Sequence, residues 1–336
     1  MREEETSKNL RLRLKKLGLS DRVVDAAWPK WWSEEADASP SARIELRFSI
    51  ARKLGLDPRS LLDDAQPRFV WKDEARFKHL SSVGELDLAA ITSFGKAVAT
   101  ILIGASPPAV RINDASAKRL REILLSEPRP FVRLHDLLSV CWSVGIPVIH
   151  LRVFPWPQKR MAAMAVRVGD RFAILLGKDS QYPPHVAFYL AHEMGHVFLS
   201  HLEEDVVIVD LEQGDLDERG NDDEENSADS FALELLTGNP KPVVLPFDPR
   251  YSARELARVA VGSSVKLRVE PGTLALCFGY STSDWATANA SMRRIYDVGK
   301  PVWLEVNNLA RSQLAFDQIS DDAVEFLDVL LGASSK

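Results

Sequence analysis

Apolar positions recur every three to four residues over most of the first hundred positions, the spacing of a helix with one buried face. In "SARIELRFSIARKLGLDPRSLLDD" Leu46, Ile50 and Leu54 stand four apart, with Ile44 and Phe48 beside that stripe. The alternation from Ile44 to Ile50 would also suit a short strand, but the Ala, Arg, Lys and Leu that follow favour helix. "LGLDPRSLL" supplies a turn and a new helix start. "AAWPKWWSEEADASP" reads as a helix end and a loop. Helical segments continue through "EARFKHL" and "LAAITSFGKAVATILIGA", and the breakers of "SPPAVRINDAS" mark a linker. "AKRLREILLSE" and "FVRLHDLLSVCWSVG" are amphipathic helices, and "IPVIHLRV" is a strand. In "MAAMAVRV", Gly-Asp, "RFAILLG", two strands flank a tight turn, which predicts a hairpin. A helix from about Pro184 to Leu202 follows, then an acidic stretch, then a helix from about Asp223 to Thr237 that "GNPKP" ends sharply. In the tail, "ARELARVAVGSS" and "DWATANASMRRIYDVG" predict helices, "VEPGTLALCFGYS" a turn and then helix or strand, and "KPVWLEVNN" a strand.

These elements predict an α+β chain in three parts. Residues 1–112 form a mainly helical region, residues 113–240 a core with a hairpin between helices, and residues 241–336 a mixed α/β domain. Helix, glycine-containing turn and arginine-bearing helix make the first part a candidate helix-turn-helix DNA reader. A plain helical bundle with a basic face fits better, because no base-reading pattern is recognisable. At 336 residues the chain exceeds what one core usually serves. No run of about 18 apolar residues occurs, so no membrane span is expected. The start, "MREEETSKNLRLRLKKLGLS", lacks the apolar centre of a secretory signal. Cys141 and Cys277 are the only cysteines and sit in apolar surroundings, which excludes a disulfide framework and fits a reducing cytoplasm.

The net charge of −6 is uneven. Residues 203–225 hold twelve acidic residues against Arg219 alone, so the rest of the chain is net basic. The overall acidity therefore does not exclude a nucleic-acid partner. The acidic stretch reads as a solvated loop in preference to a mobile flap.

The chemistry concentrates in "AHEMGHVFLSH", residues 191 to 201. On a helix, positions four apart share a face, so His192 and His196 project together and can grip one metal ion. Glu193 is displaced around the helix and can reach an activated water without being a ligand, the HExxH arrangement of zinc peptidases. The bland alternative is a surface helix with scattered polar residues. Val186, Phe188, Leu190, Ala191, Met194, Val197, Phe198, Leu199 and Leu202 argue against it, because they wrap the helix nearly all round and predict burial. Buried imidazoles and carboxylates need partners, and a metal supplies them. Gly195 inside this helix costs about 1 kcal/mol relative to Ala, which calls for a close neighbour, either backbone or substrate.

A third ligand must come from elsewhere. His201 follows His196 by five residues, about 500° of helix rotation, which takes it off the metal face. It also misses the six-residue spacing of the H-E-x-x-H-x-x-G-x-x-H class. In "DDEENSADSFALELL", Glu225 and Asp229 share a helix face. Glu225 is the candidate ligand, Asp229 can orient a ligating imidazole through its other N–H, and Glu224 is the alternative ligand. Two neutral imidazoles suit Zn²⁺, and a third ligand leaves the fourth position open. Tyr182, Tyr189, His201 and Arg294 are unranked candidates to stabilise an oxyanion.

"LAHEMGHVFLSH" followed by "EENSADSFALELL" resembles the ImmA/IrrE metallopeptidases, whose signature is HExxH and then E-x-x-A-[ND]-x-F-A. Glu225, Ala228, Asp229, Phe231 and Ala232 fill the second motif. "VGIPVIHLRV" and "AAMAVRVGDRFAILL" fit the family's entry into the HExxH helix, so the resemblance covers about residues 115 to 240. Two features depart from the family pattern. Ser200 stands where the family often has a His, and the insertion between the motifs is longer and more acidic. The resemblance implies a gluzincin-like fold, zinc on His192, His196 and Glu225, and Glu193 as base. It implies cleavage of DNA-binding repressors of the helix-turn-helix type in prophages, mobile elements, stress responses or anti-phage defence. It also implies a single-stranded DNA signal in some members and a sensor-like domain at 241–336. A zinc-containing module that only binds DNA or a regulator, and a toxin–antitoxin partner, are the alternatives. A closed structural zinc site would use four protein ligands, mostly Cys, which this chain does not offer.

Overall fold

The computed structural model describes residues 7–62, 66–71, 75–77, 85–110, 115–126, 128–156, 161–202, 207–211, 223–242 and 251–332. The chain begins with helices α1 (Ser7–Lys16), α2 (Asp21–Ala27), α3 (Glu34–Asp37), α4 (Pro40–Leu54) and α5 (Pro58–Leu62). Hydroxyls of Ser20, Ser33 and Ser39 accept from backbone N–H groups three residues on, which caps α2, α3 and α4. Leu46, Ile50 and Leu54 are buried while Ile44 and Phe48 are exposed, as a helix and not a strand requires. Gly55 ends α4 with a φ of 68°. A Cβ there would lie 2.2 Å from the Ser93 carbonyl oxygen, so both conformation and space demand glycine.

Strand β1 (Ala75–Phe77) and helix α6 (Glu85–Gly104) follow. β1 corrects the helical expectation for "EARFKHL". Ala75, Arg76 and Phe77 pair in parallel with Val207, Ile208 and Val209, and that non-local ladder overrides local propensity. Next come α7 (Ala117–Leu124), α8 (Leu134–Ser143), β2 (Val148–His150), β3 (Met161–Val168) and β4 (Arg171–Leu176). β3 and β4 are the expected antiparallel hairpin, turning through Gly169 with φ 60°. Then come α9 (Pro183–Phe198), β5 (Val207–Leu211) and α10 (Asp223–Thr237). β5 corrects the loop expected across 203–225: it lies between β1 and β3, with Val207 and Ile208 fully buried. The remainder of that expectation, at 203–206 and 212–222, lies outside the described residues.

The tail contributes α11 (Ala253–Leu267), α12 (Pro271–Thr282), α13 (Trp285–Ile295), α14 (Val302–Gln313) and α15 (Asp321–Leu330), with a 3-10 turn over Phe316–Gln318. The described residues 251–332 hold no strand, so the expected mixed α/β tail is helical. "KPVWLEVNN" opens α14 and is not a strand: Val302, Val306 and Ala310 are buried four apart, a helical period.

The sheet runs β1-β5-β3-β4-β2 and is mixed. β1 is parallel to β5 and β2 to β4, while β3 is antiparallel to both its neighbours. Side chains of the hairpin alternate between two cores. Met164, Val166 and Leu175 join Ile50, Phe94, Val98 and Phe326 on one face. Ala163, Ala165 and Ile174 join Leu138, Leu190, Ala191 and Phe231 on the other. Burial on both faces makes β3 and β4 almost continuously apolar. The β2 edge is closed by α14. Asn307 Oδ1 accepts from the His150 N–H at 2.8 Å, and Asn307 Nδ2 donates to the His150 carbonyl at 2.8 Å, in place of a neighbouring strand. The result is a helix-rich α+β fold in which α9 lies against the alanine-lined face of the sheet. Among the described residues no helix is long and apolar enough to cross a membrane.

Candidate metal centre

Pro183 and Pro184 open α9 where their missing N–H groups are no loss. Leu190, Ala191 and Met194 are fully buried, which turns the neighbouring polar face toward α10. His192, Glu193 and His196 are 3%, 0% and 0% exposed, so the expected burial of the polar trio is present.

Helix α10 crosses α9 at Gly195. A Cβ on Gly195 would stand 3.0 Å from the Ala228 Cα and 3.2 Å from the Ala228 carbonyl oxygen. The close neighbour that this glycine implied is therefore α10 backbone. Glycine against a fully buried alanine lets the two axes approach, and that approach brings in Glu225, one turn before Ala228, and Asp229, the residue after it. Glu225 Oε2 lies 3.2 Å from His192 Nε2, and Glu225 Oε1 lies 3.2 Å from His196 Nε2. The two Nε2 atoms are 3.0 Å apart. His192, His196 and Glu225 form a buried group able to hold a metal ion, with all ligand atoms within 4.8 Å of one another.

Asp229 Oδ1 lies 2.9 Å from His192 Nδ1. An ionised carboxylate only accepts, so this Nδ1 carries the hydrogen and neutral His192 turns a lone pair inward from Nε2. Glu225 also faces the centre with acceptors. Converging lone pairs repel unless a cation sits among them, so the donor set fits a divalent metal.

Asp229 occupies the orienting place expected of it behind His192. Glu224, the alternative ligand, is outside the cluster, and its carbonyl accepts from Ser227 Oγ at 2.9 Å. Tyr189 packs beside the core with its ring edge-on to Phe188 at 6.2 Å. Tyr182 stacks on Tyr296 at 5.5 Å, and Arg294 is exposed on α13. His201 stands outside that cluster, as its spacing implied, yet its ring reaches the back of His196. The α-helix ends at Phe198, and Ser200 takes a φ of 61°. The chain then folds back, the His201 N–H donates to the His196 carbonyl at 3.0 Å, and His201 Nδ1 lies 3.0 Å from His196 Nδ1. A helix that continued through Leu202 would have carried the His201 ring away from His196. Sequence reasoning missed Ser227, whose Oγ lies 3.2 Å from His201 Nε2. A serine two places after Glu225 gives no signal until the fold-back of His201 is known.

No protein-family model, curated protein or solved structure matches this chain.

Proposed function

We propose that this chain is a zinc-dependent endopeptidase with a gluzincin-like core, in which His192, His196 and Glu225 hold the ion and Glu193 is the general base. The supporting observation is the convergence of two buried imidazole Nε2 atoms and a half-buried carboxylate where α9 and α10 meet. Three protein ligands of N and O type leave one tetrahedral position open, the pattern of catalytic sites and not of closed structural ones. When bound, zinc supplies a Lewis acid that polarises the scissile carbonyl and acidifies water. Asp229 holds the His192 ring by its Nδ1–H and raises the basicity of its Nε2. Glu193 takes a proton from the attacking water and passes it to the leaving nitrogen.

The motif resemblance supports the substrate class: a DNA-binding repressor of the helix-turn-helix type, cut in a stress, prophage or anti-phage response. Single-stranded DNA is the candidate activating signal. Co-expression with candidate helix-turn-helix repressors, followed by a gel for a clipped band, tests the reading. Glu193→Gln is expected to retain its zinc and to lower the cleavage rate by roughly 10²- to 10⁴-fold. An unchanged rate in a zinc-loaded Glu193→Gln variant contradicts the assignment of the base.

A further inference from the structure

We infer that His201 is a positioning residue that fixes the ring of His196 for the metal, through a hydrogen-bond relay anchored on the backbone of α10. The inference rests on the metal-centre reading above. Ser227 Oγ is 2.9 Å from the Glu224 carbonyl, which can only accept, so the hydroxyl proton is spent there. The same Oγ lies 3.2 Å from His201 Nε2 and must therefore accept, so His201 carries its hydrogen on Nε2. Neutral His201 then presents a lone pair at Nδ1. His196 Nδ1, 3.0 Å away, donates to it. His196 is left with a lone pair at Nε2, aimed at the same point as His192 Nε2 and Glu225. With His201 neutral, each link sets the next tautomer, and the outcome is the tautomer that a metal requires.

The backbone is shaped to make this relay. Ser200 is a non-glycine residue in the left-handed region, a conformation that L side chains rarely adopt. It turns the chain so that His201 touches His196 twice, by its N–H and by its ring. The anchor carbonyl belongs to Glu224, next to the ligand Glu225, so the ligands on α9 and α10 are oriented by one connected network. Charge explains why the partner is an imidazole and not a second carboxylate. Glu225 and Asp229 already balance a divalent ion. A further anion behind His196 would leave uncompensated negative charge in a buried site beside Glu193.

The test titrates zinc-loaded full-length protein against a chelator in native, His201→Leu and His201→Asn forms. Leu keeps the bulk and removes the acceptor, whereas Asn returns an oxygen near the position of Nδ1. The Leu variant is expected to bind Zn²⁺ roughly 10- to 100-fold more weakly, with most of the affinity restored in the Asn variant. Long-range ¹⁵N–¹H correlation of the native zinc form is expected to show His201 as the Nε2–H tautomer and His196 as the Nδ1–H tautomer. The relay is overturned if His201 is the Nδ1–H tautomer, if the Leu variant binds Zn²⁺ as tightly as native, or if Asn is as weak as Leu. A native protein that takes up no Zn²⁺ overturns the metal reading itself and the relay with it, a result distinct from the other three.

Discussion

Gly195 and Gly262 are both helical glycines, and their surroundings give substitution to alanine opposite signs. A methyl group at 195 meets the Ala228 backbone at 3.0 Å, and backbone cannot swing aside as a flexible side chain would. Gly195→Ala is expected to destabilise by about 1–3 kcal/mol through forced separation of α9 and α10, despite better helix propensity. It is also expected to weaken zinc binding, because Glu225 and Asp229 ride on the displaced helix. Gly262 lies exposed in α11 with no atom within 4 Å of a built Cβ. Gly262→Ala is expected to stabilise by about 0.4–1 kcal/mol by reducing the freedom of the unfolded chain. Denaturant unfolding of the two variants measures both; equal changes would contradict the close crossing of α9 and α10.

Helix α12 is capped by a carboxyl group whose titration reports on how the tail is packed. Glu270 Oε2 accepts from the Thr273 N–H at 2.9 Å, and Tyr296 donates its hydroxyl to Glu270 Oε1. Burial raises this carboxyl above its ordinary value of 4.5, and those hydrogen bonds reverse only part of the rise. A raised folded value means that the native state binds the proton more tightly than the unfolded chain. The stability gained from the protonated group is complete below the unfolded value and is lost as pH rises through the raised folded one. Glu270→Gln removes that dependence, so its unfolding free energy relative to native is expected to improve as pH rises above the ordinary value of 4.5. Identical pH slopes for the two proteins would contradict a raised Glu270. Long elements such as α4, α6, α9 and α10, and the β3–β4 hairpin, were legible because their periods persist over many residues. β1 was not, since three residues are fixed by partners more than a hundred positions away. β5 was hidden by the charges around it, and "KPVWLEVNN" stopped before Ala310 completed the helical stripe. At the site, the shared helix faces of His192 with His196 and of Glu225 with Asp229 were legible from spacing, whereas the preference for Glu225 over Glu224 leaned on the neighbouring HExxH helix and the motif resemblance. His201 and Ser227 were not, because the link between them depends on the backbone turn at Ser200.

Across the whole molecule, elements distant in sequence close on one sheet. Phe326 from the tail packs in the same core as Ile50 and Phe94, and Val306 packs with Leu190 and Phe231 on the opposite face. On that face the polar faces of α9 and α10 meet, and a bound ion would join them. A ligand that binds only the folded state stabilises it by about 2.7 kcal/mol at a hundred times its dissociation constant. The most direct measurement is therefore the zinc stoichiometry of the purified full-length chain after exposure to excess Zn²⁺ and removal of the unbound metal. The native protein should retain one equivalent, and the His196→Ala and Glu225→Ala variants should retain none. A folded native protein that retains no zinc would contradict the metal centre, and with it the peptidase.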